Sequence, residues 1–577
     1  MAIRNMKPTV KLILIALLGW VTHFSSAAQT AINPGRRITI VYGGTFTKDE
    51  AKVPGASIFS KDARQVQFQH QGADLWCDYA LLYQQENRLE AIGNVRMEQG
   101  DSVVMTGGYI EYFGNLKLAK AFKSVELTNR TMTLNTDTLY LDREKQEAFY
   151  NHDGVIVDSV NTLSSRVGRY DMVLKKYQFQ DSVHIINPDY TLKSSRLDYY
   201  TTSKEAYMYG PSTILGEDYT LYCERGYYDT TSETGYGIKN TEIHYSDRII
   251  EGDSVYFNKA SEFASATNNI KITDTINKAI IRAHYAEMHR SKDSLFATKR
   301  AVSVSLIEQD SLYLHGDTLM VTGPADLRVL RAFRDARFFK KDLSGKSDSI
   351  HFDEQSGITK LFRNPVLWNM ENQMTGDSIL LLSHAETEQL DSLKVLGNAF
   401  IISEDTIGHK GYNQAKGKTL FGKFVENALR TADLIGNTEV VYYMYDDKDD
   451  LMGINKTICS KIRLIIEEND IKEIIFYTNP DGTLFPEWEF PEDSRKLEGF
   501  IWRGSERIFG PQDLFSETDN TLTLPEIRGI TQAIDPALAK TTSNSPKTEA
   551  DSKLKAKPNA LPKIKSSEKS NQKQLLP

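Results

Sequence analysis

The chain has 577 residues, of which 40% are hydrophobic and 25% charged, and its formal net charge at pH 7 is −8. This composition is ordinary for a folded protein. The negative charge, and a sequence without any RNA- or DNA-binding signature, argue against nucleic acid as the main ligand. The sequence also carries no HExxH, CxxC or phosphate-loop motif. We therefore predict no catalytic residue, no metal site and no cofactor.

The first 28 residues are predicted to be a secretory signal peptide. Arg4, Lys7 and Lys11 precede an apolar run at 12–21, and the small residues of Ser26–Ala28 follow it. This order of charge, apolar run and small-residue site is typical of an export signal. An uncleaved membrane anchor is the alternative, but an apolar run of about ten residues is short for a membrane span. We expect export and cleavage near Ala28.

A segment of seven residues recurs about every 29 residues. Its first three copies are Cys77–Tyr83, Thr106–Tyr112 and Asn135–Leu141. A fixed period maintained over about 400 residues indicates a repeat architecture. Later copies begin at Ser165, Ser194, Cys223, Glu251, Arg282, His315, Lys346 and Thr375. A tyrosine occupies the same position of five successive copies: Tyr140, Tyr170, Tyr199, Tyr228 and Tyr256.

Each repeat contains a second segment, about 17 residues after the first, that begins with turn-forming residues. Gly, Asn, Asp and Pro at such sites supply turn or bulge geometry. Within both segments apolar residues alternate with period 2 and are rich in β-branched and aromatic types, which indicates strands. The copies of the second segment are Gly93–Val95, Asp153–Val155, Asp181–Val183, Asn268–Ile270, Asn364–Val366 and Gly397–Ala399.

These patterns predict an all-β protein, an elongated two-sheet β-jellyroll or β-solenoid with two strands per repeat. One strand of each repeat is expected in each of two facing sheets, with successive repeats stacked about 4.8 Å apart. In that stack Cys77 and Cys223 lie five repeats, or about 24 Å, apart. A disulfide requires Cα atoms within about 7 Å, so we predict no internal disulfide.

The chain divides into five predicted segments. Prolines and aromatic residues after residue 480 suggest a cap that covers the last repeat, and the Lys, Ser and Pro residues that dominate the end are typical of a disordered tail. The segments are a signal peptide at 1–28, an amino-terminal strand or arm at 29–56, the β-repeat body at 57–480, a cap region at 481–536 and the tail at 537–577.

The repeated phrases resemble the OstA-like family, the LptA-type periplasmic proteins of lipopolysaccharide transport. The phrase Ala91–Val95 precedes the strand segment Thr106–Tyr112, and related phrases recur at Leu396–Ala399 and Ile435–Thr438. The resemblance covers about residues 35–480. This chain departs from the family's compact members in being two to three times longer.

The resemblance implies a two-sheet trough, V-shaped in section, whose apolar interior shields acyl chains. It implies a periplasmic location, with association to the inner or outer membrane left open. The implied partners are lipopolysaccharide or lipid A, and other lipopolysaccharide-transport proteins joined end to end by β-strand addition, with head-to-tail self-association as a further option. For the ligand-binding line we predict one inward apolar column: Val95, Val125, Val155 and Val183.

Two other functions fit the sequence. A structural or adhesive repeat protein of the envelope would pack its interior solidly and have no lipid groove. A polysaccharide-acting β-solenoid enzyme would carry one acidic cleft. Against the enzyme, Gly-Asp-Ser occurs at 100–102, 252–254 and 376–378. A nucleophile is needed only once, so this recurring triplet indicates structural turns.

Overall fold

The structure is a computed structural model that describes residues 37–524, except 101–102, 246, 308–309, 325–326, 385–388, 427 and 468–469. The chain divides into two units, residues 1–529 and 530–577, and the fold below is that of the described residues of the first. The predicted signal peptide and tail lie outside the described residues. Within the described ranges, no helix has the length and apolar character needed to cross a membrane.

The described residues form 38 strands in one continuous ladder. The first nineteen strands are β1 Thr39–Tyr42, β2 Thr45–Thr47, β3 Ser57–Ser60, β4 Val66–His70, β5 Ala73–Cys77, β6 Tyr79–Tyr83, β7 Arg88–Gln99, β8 Val103–Phe113, β9 Leu118–Thr128, β10 Met132–Asp142, β11 Glu147–Tyr150, β12 Gly154–Asp158, β13 Thr162–Ser165, β14 Val167–Asp171, β15 Lys176–Ile186, β16 Tyr190–Tyr200, β17 Glu205–Gly216, β18 Tyr219–Asp229 and β19 Thr234–Tyr245. The remaining nineteen are β20 Arg248–Asn258, β21 Phe263–Asp274, β22 Ala279–His289, β23 Ser294–Thr298, β24 Val302–Ile307, β25 Asp310–His315, β26 Thr318–Thr322, β27 Val329–Lys340, β28 Leu343–Asp353, β29 Ile358–Phe362, β30 Val366–Asn369, β31 Asn372–Thr375, β32 Ser378–Ser383, β33 Leu390–Glu404, β34 Tyr412–Val425, β35 Ala428–Tyr445, β36 Leu451–Glu467, β37 Asp470–Tyr477 and β38 Asp481–Phe485. Short helical segments are the 3-10 turns Arg290–Lys292, Glu487–Glu489, Glu492–Ser494, Gly504–Glu506 and Pro511–Leu514, and the α-helix α1 Glu517–Asn520.

The strands are joined as a meander of antiparallel hairpins. Strand β7 pairs with β8, β8 with β9, and β9 with β10, each in antiparallel register. One 29-residue repeat is therefore one hairpin of two long strands. The all-β, two-strands-per-repeat prediction is confirmed. The predicted stacking distance was wrong: because both strands of a repeat lie side by side in the ladder, each repeat advances about 9.6 Å, two strand spacings rather than one.

Every second long strand bends at a two-residue bulge. In β9 the register shifts between Thr106 and Tyr109 of the partner strand, and Lys123 and Ser124 both have positive φ. Left-handed residues inserted in this way bend the strand sharply. The predicted turn residues are at these bends, with positive φ at Gly93 and Asn94 and at Asp181 and Ser182, and further such pairs at Asn268 and Asn269 and at Gly397 and Asn398.

The bends divide the ladder into two walls that face each other. Wall A contains the inward side chains Met105, Leu127 and Leu134, and wall B contains Ile110 and Leu139, all at most 5% exposed. The expectation that each sheet takes its own strand of the repeat was wrong, because each long strand crosses the bend and contributes to both walls. Where a bend is not spanned by one strand, a pair of short strands replaces it, such as β5 and β6.

The space between the walls is filled by apolar side chains in three clusters. The first includes Phe68 and Tyr150, and the third extends from Ile250 to Ile466. Between them lies a small cluster whose buried members are Phe179, Val183, Leu192, Leu197 and Met208. The core is therefore thinnest in the middle of the ladder.

The three cysteines are buried and unpaired. Cys77 and Cys223 both lie at the bend between the walls, separated by about ten strand spacings, roughly 48 Å. This is twice the distance expected from the sequence, since each repeat contributes two strands. Both thiols are fully buried, and burial raises the pKa of each to about 12.

Residues 486–521, here called the strap, run along the outer surface of wall A. Gln373 and Gln414, both at most 2% exposed, bind the strap backbone in the same way. The amide of Gln373 donates to the carbonyl of Ile501 at 2.8 Å and accepts from the N–H of Arg503 at 2.6 Å. Gln414 makes the equivalent pair with Arg495 and Leu497 at 2.7 and 2.9 Å.

The strap covers several repeats rather than the end of the ladder. Its Phe490 and Leu497 pack against Phe400, Val441 and Tyr443 on the outer side of wall A. Further along, Ile508 and Leu514 pack against Val302. The cap predicted from the prolines and aromatic residues is thus a lengthwise cover. Within the part of the chain that the structure describes, the last strands β37 and β38 pair with β36 alone.

Candidate functional site

The candidate site is the interior between walls A and B. Most inward positions on both walls are apolar, and the two walls contact each other directly. Two cavities of about 10 Å³ each lie near Phe68 and Leu89 and near Ile401 and Val440. Each has room for about one water molecule. At these two places a bound chain would have to displace inward side chains.

Three of the four predicted column residues face this interior. Val95, Val125 and Val183 are each 1% exposed and lie directly after a bend. Val155 is 39% exposed and faces outward. In its repeat Gly154 takes the buried position, opposite Thr136. The column was therefore misplaced by one residue in that repeat, and ligand binding by the other three valines stays a prediction.

The inner column at the bends is otherwise made of small residues. Adjacent strands pair Val183 with Ser194, Ser194 with Ser212 and Ser212 with Cys223. The hydroxyls of Ser194 and Ser212 are 2.8 Å apart and also donate to backbone carbonyls at the bend. These hydroxyl groups are satisfied where the strands turn, which leaves the interior surface apolar.

The opening opposite the bends, here called the mouth, is where the free ends of the two walls meet solvent. In the middle of the ladder six half-buried tyrosines line it. They are Tyr170, Tyr177, Tyr199 and Tyr228 on wall B, and Tyr190 and Tyr219 on wall A. We call this set the tyrosine rim. A tyrosine places an apolar ring beside the interior and a hydroxyl at the water boundary.

The rim tyrosines are close to one another. Tyr170 and Tyr177 pair across adjacent strands with stacked rings 4.3 Å apart, and Tyr177 pairs with Tyr199. Burial raises the pKa of Tyr170, Tyr177 and Tyr199. It raises the pKa of Tyr228 to about 12, helped by nearby charge. The rim is consequently neutral at any physiological pH.

The sequence singled out part of this rim. Tyr170, Tyr199 and Tyr228 are inward residues of the rim, as their shared repeat position suggested. Tyr140 and Tyr256 hold the same position by count but lie on the outer side, because Leu139 and Val255 take the inward positions of their strands. Tyr190 and Tyr219 come from wall A, and only the folded ladder brings them to the mouth.

Polar bridges close the mouth at the amino-terminal side. Arg143 follows β10 in wall B, and its guanidinium donates to the carbonyls of His70 and Gln71 at 3.2 and 2.8 Å. It also donates to Gln99 and to the hydroxyl of Tyr112. The ring of His70 contacts the same hydroxyl at 2.7 Å. These groups link wall A to wall B across the mouth.

A second set of bridges begins at the carboxy-terminal part of the tyrosine rim, beside Tyr219. Arg328 in wall B is 5% exposed and donates to Asp274, at the end of wall A. Its guanidinium also lies 3.7 Å from Asp247. Arg290 reaches Asp218 at 3.8 Å and lies over the ring of Tyr245. The spacing of these arginines in sequence does not follow the repeat, so the sequence offered no signal for them.

Nothing in the described ranges groups three or more His, Cys, Asp or Glu side chains as a metal site would. The site is thus defined by shape and apolar surface. Such a site can hold the apolar groups of a ligand between the walls. Tyrosine hydroxyls and arginine–carboxylate pairs lie at its boundary with water.

A family model described as OstA-like protein matches residues 37–195. Residues 37–195 are OstA-like. This OstA-like region contains the first core cluster, the three buried valines and the Arg143 bridge. Thirteen chains of solved structures match. One is the crystal structure of LptH, the LptA homologous periplasmic component of the conserved lipopolysaccharide transport device from Pseudomonas aeruginosa, at 15% identity and a TM-score of 0.19, covering 25% of this chain and 99% of that one. No curated protein matches the sequence.

Proposed function

We propose that this chain is a periplasmic carrier of lipopolysaccharide that shields acyl chains between walls A and B and bridges toward the outer membrane. The proposal is supported by the OstA-like region and, above all, by one observation. Inward apolar side chains from two walls face each other along a ladder of 38 strands. A solvated β-sheet surface has no need of such an interior continued over so many repeats.

The energetics favour such a carrier. Each CH₂ group moved from water into an apolar environment gains about 0.8 kcal/mol. An acyl chain laid between the walls exchanges water for inward side chains, while charged sugars stay in solvent outside the mouth. The terminal strands of the ladder provide edges to which a strand of another protein can pair, and such pairing would form the bridge. Among the described residues strand β1 pairs with β4 alone, and its Val41 is 51% exposed, which favours this edge for strand addition.

The proposal includes the remaining predicted properties. The chain is proposed to be exported after cleavage near Ala28, to act without a cofactor and without catalysis, and to join other transport proteins end to end. The segment boundaries at 28, 56, 480 and 536 are proposed likewise, with the strap as the described part of the cap region.

Native mass spectrometry of the full mature chain with added lipid A tests the function. We expect a mass increase of one or more lipid A molecules that is lost on adding excess detergent. A chain that takes up no lipid A, yet stays folded by circular dichroism, would contradict the carrier and favour a solid structural repeat protein. Turnover of an added acidic polysaccharide would instead favour the enzyme.

A further inference from the structure

The mouth differs along the ladder in how the two walls are held together. On the amino-terminal side Arg143 makes hydrogen bonds from wall B to wall A, at 2.8 Å to the carbonyl of Gln71 and 3.1 Å to Gln99. On the carboxy-terminal side Arg328 joins Asp274 and Asp247. Both bridges are hydrogen bonds from a charged guanidinium, and such bonds are stronger than neutral ones. Arg328 is 5% exposed and Arg143 is half-buried.

Between these bridges the walls are held differently. Among the described residues from 147 to 217, no arginine or lysine side chain forms a hydrogen bond or ion pair between the two walls. Four of the six rim tyrosines, Tyr170, Tyr177, Tyr190 and Tyr199, lie in this interval. The Arg290–Asp218 pair, beside Tyr219, marks its carboxy-terminal limit. Besides the apolar packing of the two walls, a cross-wall hydrogen bond made there runs from the hydroxyl of Tyr177 to the sulfur of Met132, at 2.9 Å. A thioether is a weak acceptor, so this contact is easily given up.

The buried apolar cluster beneath the rim is also smaller than the clusters on either side of it. The large core clusters end at Tyr150 and begin again at Ile250. On wall B the inward positions of neighbouring strands β18 and β19 include Gly226, Gly235 and Gly237, which contribute no side chain. Flexible Met208 fills the space at Gly226, where a Cβ would lie 2.5 Å from its terminal methyl carbon, and Phe257 fills the space at Gly235. Methionine adapts readily to irregular space.

We propose that acyl chains enter and leave the interior sideways through the tyrosine rim, while the Arg143 and Arg328 bridges keep the mouth closed on either side. This inference rests on the proposed function. Weak contacts, inward glycines and an adaptable methionine let the walls separate at the rim. Tyrosine hydroxyls keep their hydration as the rings move, and an acyl chain that has entered can then advance beneath the closed parts.

The test measures whether lipid A reaches the rim positions before it reaches the interior positions. A diazirine-bearing amino acid about the size of methionine is placed singly in the full chain, and lipid A is added before flash photolysis at increasing delays. The rim positions are Tyr199 and Tyr219. The interior positions are Met105 and Met374, each at most 1% exposed, and Met452, which is 54% exposed, is the outer control.

At the shortest delay we expect cross-linking at the rim positions to exceed that at Met105 and Met374 at least tenfold, with the interior positions rising later and Met452 staying at background. Interior labelling as early as rim labelling would overturn sideways entry. So would interior labelling with a rim that never reacts, and in both cases the proposed function would stand. Native mass spectra without bound lipid A would instead overturn the proposed function and this inference with it.

A variant tests the bridge directly. Arg328→Met removes the charged link but keeps an apolar stem of similar length. Met288, a half-buried inward residue beside this bridge, then carries the diazirine. We expect early labelling at Met288 in the R328M chain and at least fivefold less when Arg328 is present. Equal early labelling in the two chains would show that Arg328 does not close the mouth.

Discussion

The opposite placement of two valines, both predicted to face inward, provides a sharp test of the fold. Val125 is 1% exposed between the walls and Val155 is 39% exposed on the outer surface. Both follow a bend in their repeat, so Val125→Asp and Val155→Asp form a matched pair. Only the first places a carboxyl group in the apolar interior.

The two substitutions differ in expected cost. Val125→Asp loses about 2 kcal/mol of apolar burial and adds at least about 2 kcal/mol for burying a polar group without a partner. The sum, about 4 kcal/mol or more, is a large part of the 5–15 kcal/mol that stabilises a typical domain. Val155→Asp alters an exposed strand position and is expected to cost about 1 kcal/mol or less.

Hydrogen exchange read by mass spectrometry distinguishes the two variants. Each hairpin contacts mainly its neighbours, so the loss of protection should be local. We expect V125D to lose protection in β8, β9 and β10, and V155D to keep parental protection in β10, β12 and β13. Similar loss in both variants, or greater loss in V155D, would refute the assignment of inner and outer faces.

Three further outcomes are expected. The hydrogen bond from Arg503, with the ion pair to Lys346 of wall A at 3.2 Å, holds the pKa of Glu506 at about 2, below its ordinary 4.5. The Glu506–Lys346 pair joins the strap to wall A, so its contribution to strap binding is present above pH 4.5 and is lost as the pH falls toward 2. Glu506→Gln should remove that acid dependence from protease protection of the strap, and an unchanged pH profile would contradict it. Gly93→Ala should cost about 1–2 kcal/mol in urea unfolding, because Gly93 has φ +76° and the new Cβ would lie 3.2 Å from Asp78; a neutral effect would argue against the bend. Because burial raises their thiol pKa, Cys77 and Cys223 should resist iodoacetamide at pH 8 in the native state and react in urea, as peptide mapping would reveal.

Most of the fold could be predicted from the repeat period and the turn residues. Positions such as Asn268 and Asn269 were recognised as bends because Asn tolerates the left-handed conformation they adopt. The division of each long strand between the two walls was harder to predict from the sequence. In β9 the inward residues Ala121 and Val125 are four positions apart. The bulge therefore leaves the apolar–polar alternation unchanged, and the sequence of β9 resembles that of one unbent strand. In the partner strand β8 the inward residues on either side of the bend, Gly107 and Ile110, are three positions apart, and this switch from even to odd spacing is the sequence signal of the bend.

The site was less predictable than the fold. A column of valines could be aligned by turn residues, but one repeat carries Gly154 where the others carry Val, which displaced the assignment to Val155. The bridges depend on groups far apart in sequence, such as Arg143 and His70, whose distance of 73 residues spans more than two repeats. The course of the strap is equally non-local: Gln373 binds backbone 128 residues further along.

The hairpin meander makes the length of this molecule adjustable in fixed increments. Removing one strand would reverse the chain direction and place every later turn at the wrong end of a wall. Removing or duplicating a whole hairpin of about 29 residues restores the direction, the bend and both neighbouring interfaces, and changes the ladder by about 9.6 Å. One hairpin is thus the increment in which the ladder can lengthen. Duplication of whole hairpins in the gene could change the length of the ladder without altering the strands at either end.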